Sequence, residues 1–212
     1  MAEHLNDSGE ETCAGRPIRA ALHPFSIEFL AGCRKFSTLA QETDDIQEVR
    51  IYSASCIVNA ACFLEAKLNE EVAIARICFD EESDERKRWD DIKKGERRTS
   101  VSQKWNQIAE LTSGCRWNSG QDPFQSFETI ISLRNELVHF KGELLGKDEA
   151  PSRKIAGLMR QLGVQSEATW IEDDCSSWVT DLLSKKSVAR WVSEKIILFD
   201  QRYYELMHGR SE

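Results

Sequence analysis

Phe25, Phe29, Cys33 and Phe36 recur at spacings of four, four and three, the interval that stacks side chains on one face of an α-helix. Pro24 stands just ahead of them, where a fixed φ and a missing N–H suit a first turn. The pattern predicts a helix over 25–41. After Asp44 and Asp45 the chain carries Ile57, Ala61, Leu64, Leu68, Val72, Ala75 and Phe79 at steps of three and four. Cys56, Ala60 and Phe63 widen that stripe, so we expect a long central helix over 46–79, buried on much of its girth.

The stretch 80–100 alternates blocks of both charges and reads as a solvated helix extension or a loop at the edge of the core. Trp105, Ile108 and Leu111 predict a short helix over 101–111, broken at Gly114 and 117–123. Asp122 and Pro123 have the form of an N-cap followed by a first-turn proline, opening a helix over 123–140 that stops near Gly142. A loop with Gly146 follows, then a short helix over 152–162 ended by Gly163. The stretch 170–183 is ambiguous, and a strong last helix covers 187–207. Sustained apolar alternation and Asn-Gly or Asp-Gly hairpin signals are missing. The expected fold class is therefore all-α, a helical bundle. A loose arm occupies 1–23, and the helical domain 24–212, with a charged excursion at 80–100 and an insertion at 142–184. Its expected core contains Phe29, Ile57, Leu64, Leu68, Ile130, Leu137, Val192 and Ile196.

Composition narrows the classes further. The 212 residues, 41% hydrophobic, suffice for a domain with a sizeable core and exclude a wholly disordered chain. A formal charge of -8 argues against indiscriminate grip on nucleic acid, although a local basic cleft is compatible with it. The seven cysteines are odd in number and scattered, and Cys56, Cys62 and Cys78 fall within apolar helical patterns, where thiols act as small hydrophobes. No apolar run approaches the ~20 residues of a membrane span, and the opening MAEHLNDSGEETCAGR lacks the form of a signal peptide. The expectation is a cytoplasmic protein with no membrane association and no disulfide framework.

Several chemistries lack their residues. Gly142 to Lys147 falls one residue short of a phosphate-cradling loop and has Asp148 where serine or threonine is needed. Gly-x-Ser-x-Gly, Cys-x-x-Cys and a histidine pair at helical spacing are missing. No metal site and no cofactor are expected. The adjacent carboxylates Glu70-Glu71 and Asp173-Asp174 diverge on a helix and read as solvated surface.

One constellation carries chemistry. The helix after Pro123 contains Arg134-Asn135-Glu136-Leu137-Val138-His139. An arginine followed at some distance by a histidine also occurs at Arg16–His23 and Arg202–His208. Only Arg134 has a polar follower, Asn135, inside a well-formed amphipathic helix. At about 100° per residue, Arg134 falls inside the apolar arc of that helix, flanked by Ile130 and Phe127, while His139 lies roughly 140° away beside Asn135. A guanidinium on an apolar face must be paired or face a cleft. An ion pair with a carboxylate such as Glu65 is the structural alternative for Arg134. For His139 the alternative is a cation near the negative end of the helix dipole.

The Arg-Asn-x-x-x-His order resembles the signature of the HEPN superfamily of helical ribonuclease and nucleotide-binding domains. The run from Phe63 through Glu65 to Asn69 on the central helix is similar to the long helix of several HEPN families, and Glu65 and Asn69 share one side of the helix. The resemblance covers about 25–140 and the last helix. It implies a metal-independent site in which Arg134 and His139, with Asn135 in support, cleave RNA, and which a homodimer completes. It also implies Glu65 and Asn69 as substrate contacts, and a toxin or defence role with an antitoxin or regulatory protein as partner.

The residue types suit that reaction. The ribose 2′-hydroxyl attacks the neighbouring phosphate and expels the 5′-oxygen, so DNA is not a substrate. Imidazole is the side chain that exchanges protons most readily near neutral pH. A guanidinium offers bidentate hydrogen bonds to the charge that develops on phosphate. Asn135, four residues before His139, is placed to orient the imidazole. Two other readings use the same residues: a catalytically inactive nucleotide-binding or protein-interaction module, and a helical scaffold in which Arg134 closes a core ion pair.

Overall fold

The computed structural model describes residues 23–95, 99–139, 152–164 and 177–208. These residues form eight helices and no strand: α1 (Phe25–Glu42), α2 (Ile46–Cys78), α3 (Asp84–Lys94), α4 (Val101–Ser113), α5 (Phe124–Val138), α6 (Arg153–Leu162), α7 (Trp178–Leu183) and α8 (Lys186–His208). The all-α expectation is met. The arm over 1–22, Phe140, the Gly142–Gly146 loop and Asp173-Asp174 lie outside the described residues.

α2 is the axle of the bundle, in contact with α1, α3, α4, α5, α7 and α8. Asp45 starts it by accepting from the backbone N–H groups of Gln47 and Glu48, two donors that an α-helix leaves unpaired. α1 runs antiparallel to α2, with Ser26 opposite Glu70 and Cys33 opposite Cys56. α8 runs parallel to α2, since Arg50 meets Ser184, Cys56 meets Ala189 and Lys67 meets Asp200. Leu64, Ile57, Ala60 and Cys56 on α2 and Ala189, Val192 and Ile196 on α8 are fully buried where these helices pack.

α1 departs from the expected stripe. Its buried residues are Ser26, Cys33, Ser37 and Ala40, whereas Phe29 and Phe36 are half-buried and Phe25 is exposed. Small side chains let α1 approach α2 closely: a Cβ on Gly32 would meet Asn59 Oδ1 at 2.5 Å. Pro24 supplies no capping side chain. Glu70 of α2 does so instead, accepting from the Ser26 backbone N–H at 2.9 Å and its hydroxyl at 2.5 Å. Glu71 pairs with Lys67 and is 15% exposed. The solvated-surface expectation for Glu70-Glu71 is therefore corrected: both carboxylates serve contacts within the bundle.

The segment 80–100 also differs from expectation. Ser83 caps a separate helix, α3, whose Trp89 and Ile92 are buried in the main core. Most of its charges are exposed, with Arg86 buried, and they had obscured two apolar anchors. Within 142–184, α6 contributes Ile155, Leu158 and Met159, and α7 contributes Trp178, Leu182 and Leu183. Gly114 and Gly163 end α4 and α6 with φ of 72° and 66°, a conformation glycine adopts without a Cβ clash. Behind α2, Trp105 of α4 meets the rings of Phe199 and Tyr203 edge-on at 5.1 and 4.9 Å. Phe127 stacks on Phe124 and Phe199. This aromatic layer fixes α5 against α8. Leu137, expected in the core, is half-buried, because α5 is leaving the bundle there.

α2 is long and apolar enough to cross a membrane by length and composition alone. Of its most apolar 18-residue window, 44% is buried among the other helices. Six helices contact it, while Ile51, Ile74 and Ile77 on its remaining face are exposed.

Candidate functional site

α5 begins differently from the expected cap. Pro123 occupies the N-cap position without a side-chain hydrogen bond. The Asp122 carboxylate instead accepts from the Ser126 hydroxyl and from Lys195 of α8, each at 2.5 Å. Burial raises the Asp122 pKa, but the Lys195 and Ser126 hydrogen bonds outweigh it and hold this carboxyl below its ordinary value. Phe127, Ile130 and Leu133 are then buried at regular intervals and set the rotation of the helix.

That rotation turns Arg134 toward α2, where its Nη2 donates to Glu65 Oε1. The side chains of Arg134 and Glu65 are 25% and 41% exposed, so the pair lies at the edge of the core with one side open. Cys62, one turn before Glu65, is half-buried beside it. Burial and the Glu65 carboxylate push the Cys62 thiol up, against the opposing pull of Arg134. A thiol so placed stays protonated near neutral pH and is a poor nucleophile. Its proximity to Arg134 was not legible in the spacing.

His139 follows the last residue of α5 with φ −112° and ψ 26°. Its backbone N–H donates to the Asn135 carbonyl at 2.9 Å, and its ring is exposed. Asn135 is half-buried, and among the described residues its amide makes no hydrogen bond to the imidazole. Five residues on a helix correspond to about 7.5 Å of rise and a large rotation. Within one chain, Arg134 thus faces α2 and His139 faces outward at the helix end. Beside it Val138 is 58% exposed, an apolar side chain without cover.

The structure brings Glu65 to Arg134 and places Asn69 one turn further along α2, exposed. Among the described residues no group of three or more His, Cys, Asp or Glu side chains is gathered for a metal. The other two Arg–His pairs are not comparable: Arg16 and the His208 side chain lie outside the described residues, and Arg202 pairs with Glu205 on the exposed face of α8. Comparison with protein-family models, with curated proteins and with solved structures yields no match for this chain.

Proposed function

We propose that this protein is a metal-independent endoribonuclease of the HEPN type, acting as a homodimer, with Arg134 and His139 as its reacting groups. The observation that carries the reading is their placement on one helix. A partly open guanidinium is fixed at the bundle edge, and an exposed imidazole ends the same helix. Glu65 takes one terminal nitrogen of Arg134. A guanidinium has five N–H donors, so the others remain to bridge two phosphate oxygens. Since Arg134 and His139 diverge within one chain, the working site pairs the arginine of one subunit with the histidine of another. A two-fold axis beside the ends of α5 achieves this, and exposed Val138 lies where such an interface needs an apolar contact.

In the proposed reaction the 2′-hydroxyl gives up its proton as it attacks phosphorus. The bond to the 5′-oxygen breaks, and that oxygen leaves with a proton. The products are a 2′,3′-cyclic phosphate and a 5′-hydroxyl end. His139 exchanges the proton, Arg134 holds the phosphate, and Asn135 lines the same turn. The free thiols among the described residues suit a reducing cytoplasm. A toxin or defence role, controlled by an antitoxin or regulatory protein, fits such an enzyme. The net charge of -8 and the hold of Glu65 on Arg134 favour a second reading, an inactive nucleotide-binding or protein-interaction module.

Incubation with single-stranded RNA in excess EDTA decides between them. Cleavage that leaves cyclic phosphate ends, and that is lost in Arg134→Ala and in His139→Ala, supports the enzyme. Intact RNA across varied sequences, with binding retained, supports the module.

A further inference from the structure

Two uncharged stripes lie side by side on the bundle. The first belongs to α1, where Phe25 is exposed and Phe29 and Phe36 are half-buried although their spacing predicts core positions. The second runs along α2. From Ile51, steps of four, three and four reach Ser55, Val58 and Cys62, and the same steps from Ala66 reach Asn69, Ala73 and Ile77 with one more step of four between or after them. None of these eight positions is charged, in a chain that is 30% charged. Ile51, Val58, Asn69 and Ile77 are exposed, and the other four are half-buried. The stripes adjoin, since a Cβ on Gly32 would meet Asn59, one turn from Ser55, and Phe36 stacks on Tyr52 at 6.3 Å. Along the other flank of the α2 stripe Arg134 meets Glu65. The spacing repeats every 11 residues, about 3.67 per turn, so the stripe keeps to one side of α2 for about 39 Å. That shape suits a partner helix lying nearly along α2.

The order of the side chains points to the partner, because the stripe nearly repeats when read in reverse. A two-fold axis between Cys62 and Ala66 sets Ile51 against the partner's Ile77 and Ser55 against the partner's Ala73. Cys62 then meets the partner's Ala66, and Val58 lies beside the partner's Asn69. Large apolar side chains pair at both ends, and small ones at the centre let the helices approach. We propose that this face binds a second copy of the chain, with the two α2 helices antiparallel in that register. An axis lying in the interface across α2 reverses the helix without exchanging its flanks, so α1 meets its own copy and α5 meets its own copy. Arg134 of one subunit and the partner's His139 thereby fall on the same side. The α2 strip alone covers about 400 Å² per subunit, half of the ~800 Å² of a standard interface, so α1 and α5 share in the contact. The proposal gives the homodimer of the ribonuclease reading its interface and rests on that homodimer, not on the chemistry at Arg134.

Sedimentation equilibrium of the full chain at micromolar concentration tests the face and its register. Ile51→Glu and Ile77→Lys alter exposed side chains, so each variant keeps the fold. Either one should weaken dimerisation about tenfold or more, because it places two charges per dimer in an apolar contact. The double variant should recover most of that loss, since each new carboxylate then faces a new ammonium of the partner. Ile27→Glu is the control: Ile27 is exposed and lies about 160° around α1 from Phe25, and this variant should dimerise as the wild type does. A monomer overturns the proposal, and its flotation with phosphatidylcholine vesicles would assign the face to a lipid surface instead. A dimer that both single variants leave intact also overturns it, as does a double variant that dimerises no better than the single ones. Such an indifferent dimer that still cuts RNA keeps the ribonuclease reading and removes this one. A dimer that responds as expected and leaves RNA intact does the reverse.

Discussion

Two arginines lie against α2, and their surroundings set them different tasks. Arg86 of α3 is 8% exposed and donates to the carbonyls of Arg76 and Phe79 at the C-terminal end of α2, with Asp90 beside it. Those carbonyls have no helical partner of their own, so the guanidinium finishes the helix and neutralises its negative end. Arg134 of α5 meets α2 in mid-helix, where every backbone group is already paired. It is 25% exposed, and Glu65 Oε1 engages one of its terminal nitrogens. A cation buried against backbone carbonyls holds a fold. A cation left with open donors at the edge of an apolar face can hold a ligand.

The comparison can be broken in four measurements. The largest expected effect falls on cleavage: His139→Ala should lower the rate of RNA cutting about 100- to 10,000-fold. The melting temperature should stay unchanged, because the ring is exposed. Next, Arg86→Ala should destabilise the fold by about 3 kcal/mol in urea unfolding, since it strands two carbonyls and part of the Asp90 charge. Arg134→Ala should cost at most about 1 kcal/mol in the same experiment, because its ion pair is partly solvated. A larger loss from Arg134→Ala than from Arg86→Ala would reverse the assignment of roles.

The smallest effect concerns acid. The folded Asp122 carboxyl ionises at lower pH than its ordinary 3.8. The unfolded state therefore binds its proton first as pH falls. The stability contributed by this group is complete above the ordinary value and is lost as pH drops through the folded one. Asp122→Asn should flatten the acid limb of a pH–stability curve in that window and leave the neutral plateau slightly lower. An unchanged acid limb would show that Lys195 and Ser126 do not hold the carboxylate in solution.

Apolar spacing revealed most of the helices because burial follows the 3.6-residue period wherever large side chains face the core. Six of the eight expected core residues are buried, and the exceptions are instructive. Phe29 lies on a helix that packs through small residues, and Leu137 lies where α5 leaves the bundle. α3 escaped notice because two apolar anchors, Trp89 and Ile92, sit among fifteen charges from Asp80 to Arg98. At the candidate site, the apolar arc of α5 already required a partner or a cleft for Arg134. Glu65 could be named as that partner because it lies on the long helix such an arc must face. Cys62 was not legible, since its approach to Arg134 depends on how α2 and α5 cross.

The central claim is a site shared between two chains, and complementation tests it most directly. Arg134→Ala and His139→Ala proteins, each inactive alone, are mixed, allowed to exchange subunits, and assayed on single-stranded RNA in EDTA. Half of the dimers are then mixed, and each holds one intact pairing out of two. The account predicts recovery to about one quarter of wild-type activity. A mixture as inactive as its parents, with subunit exchange demonstrated, would contradict it.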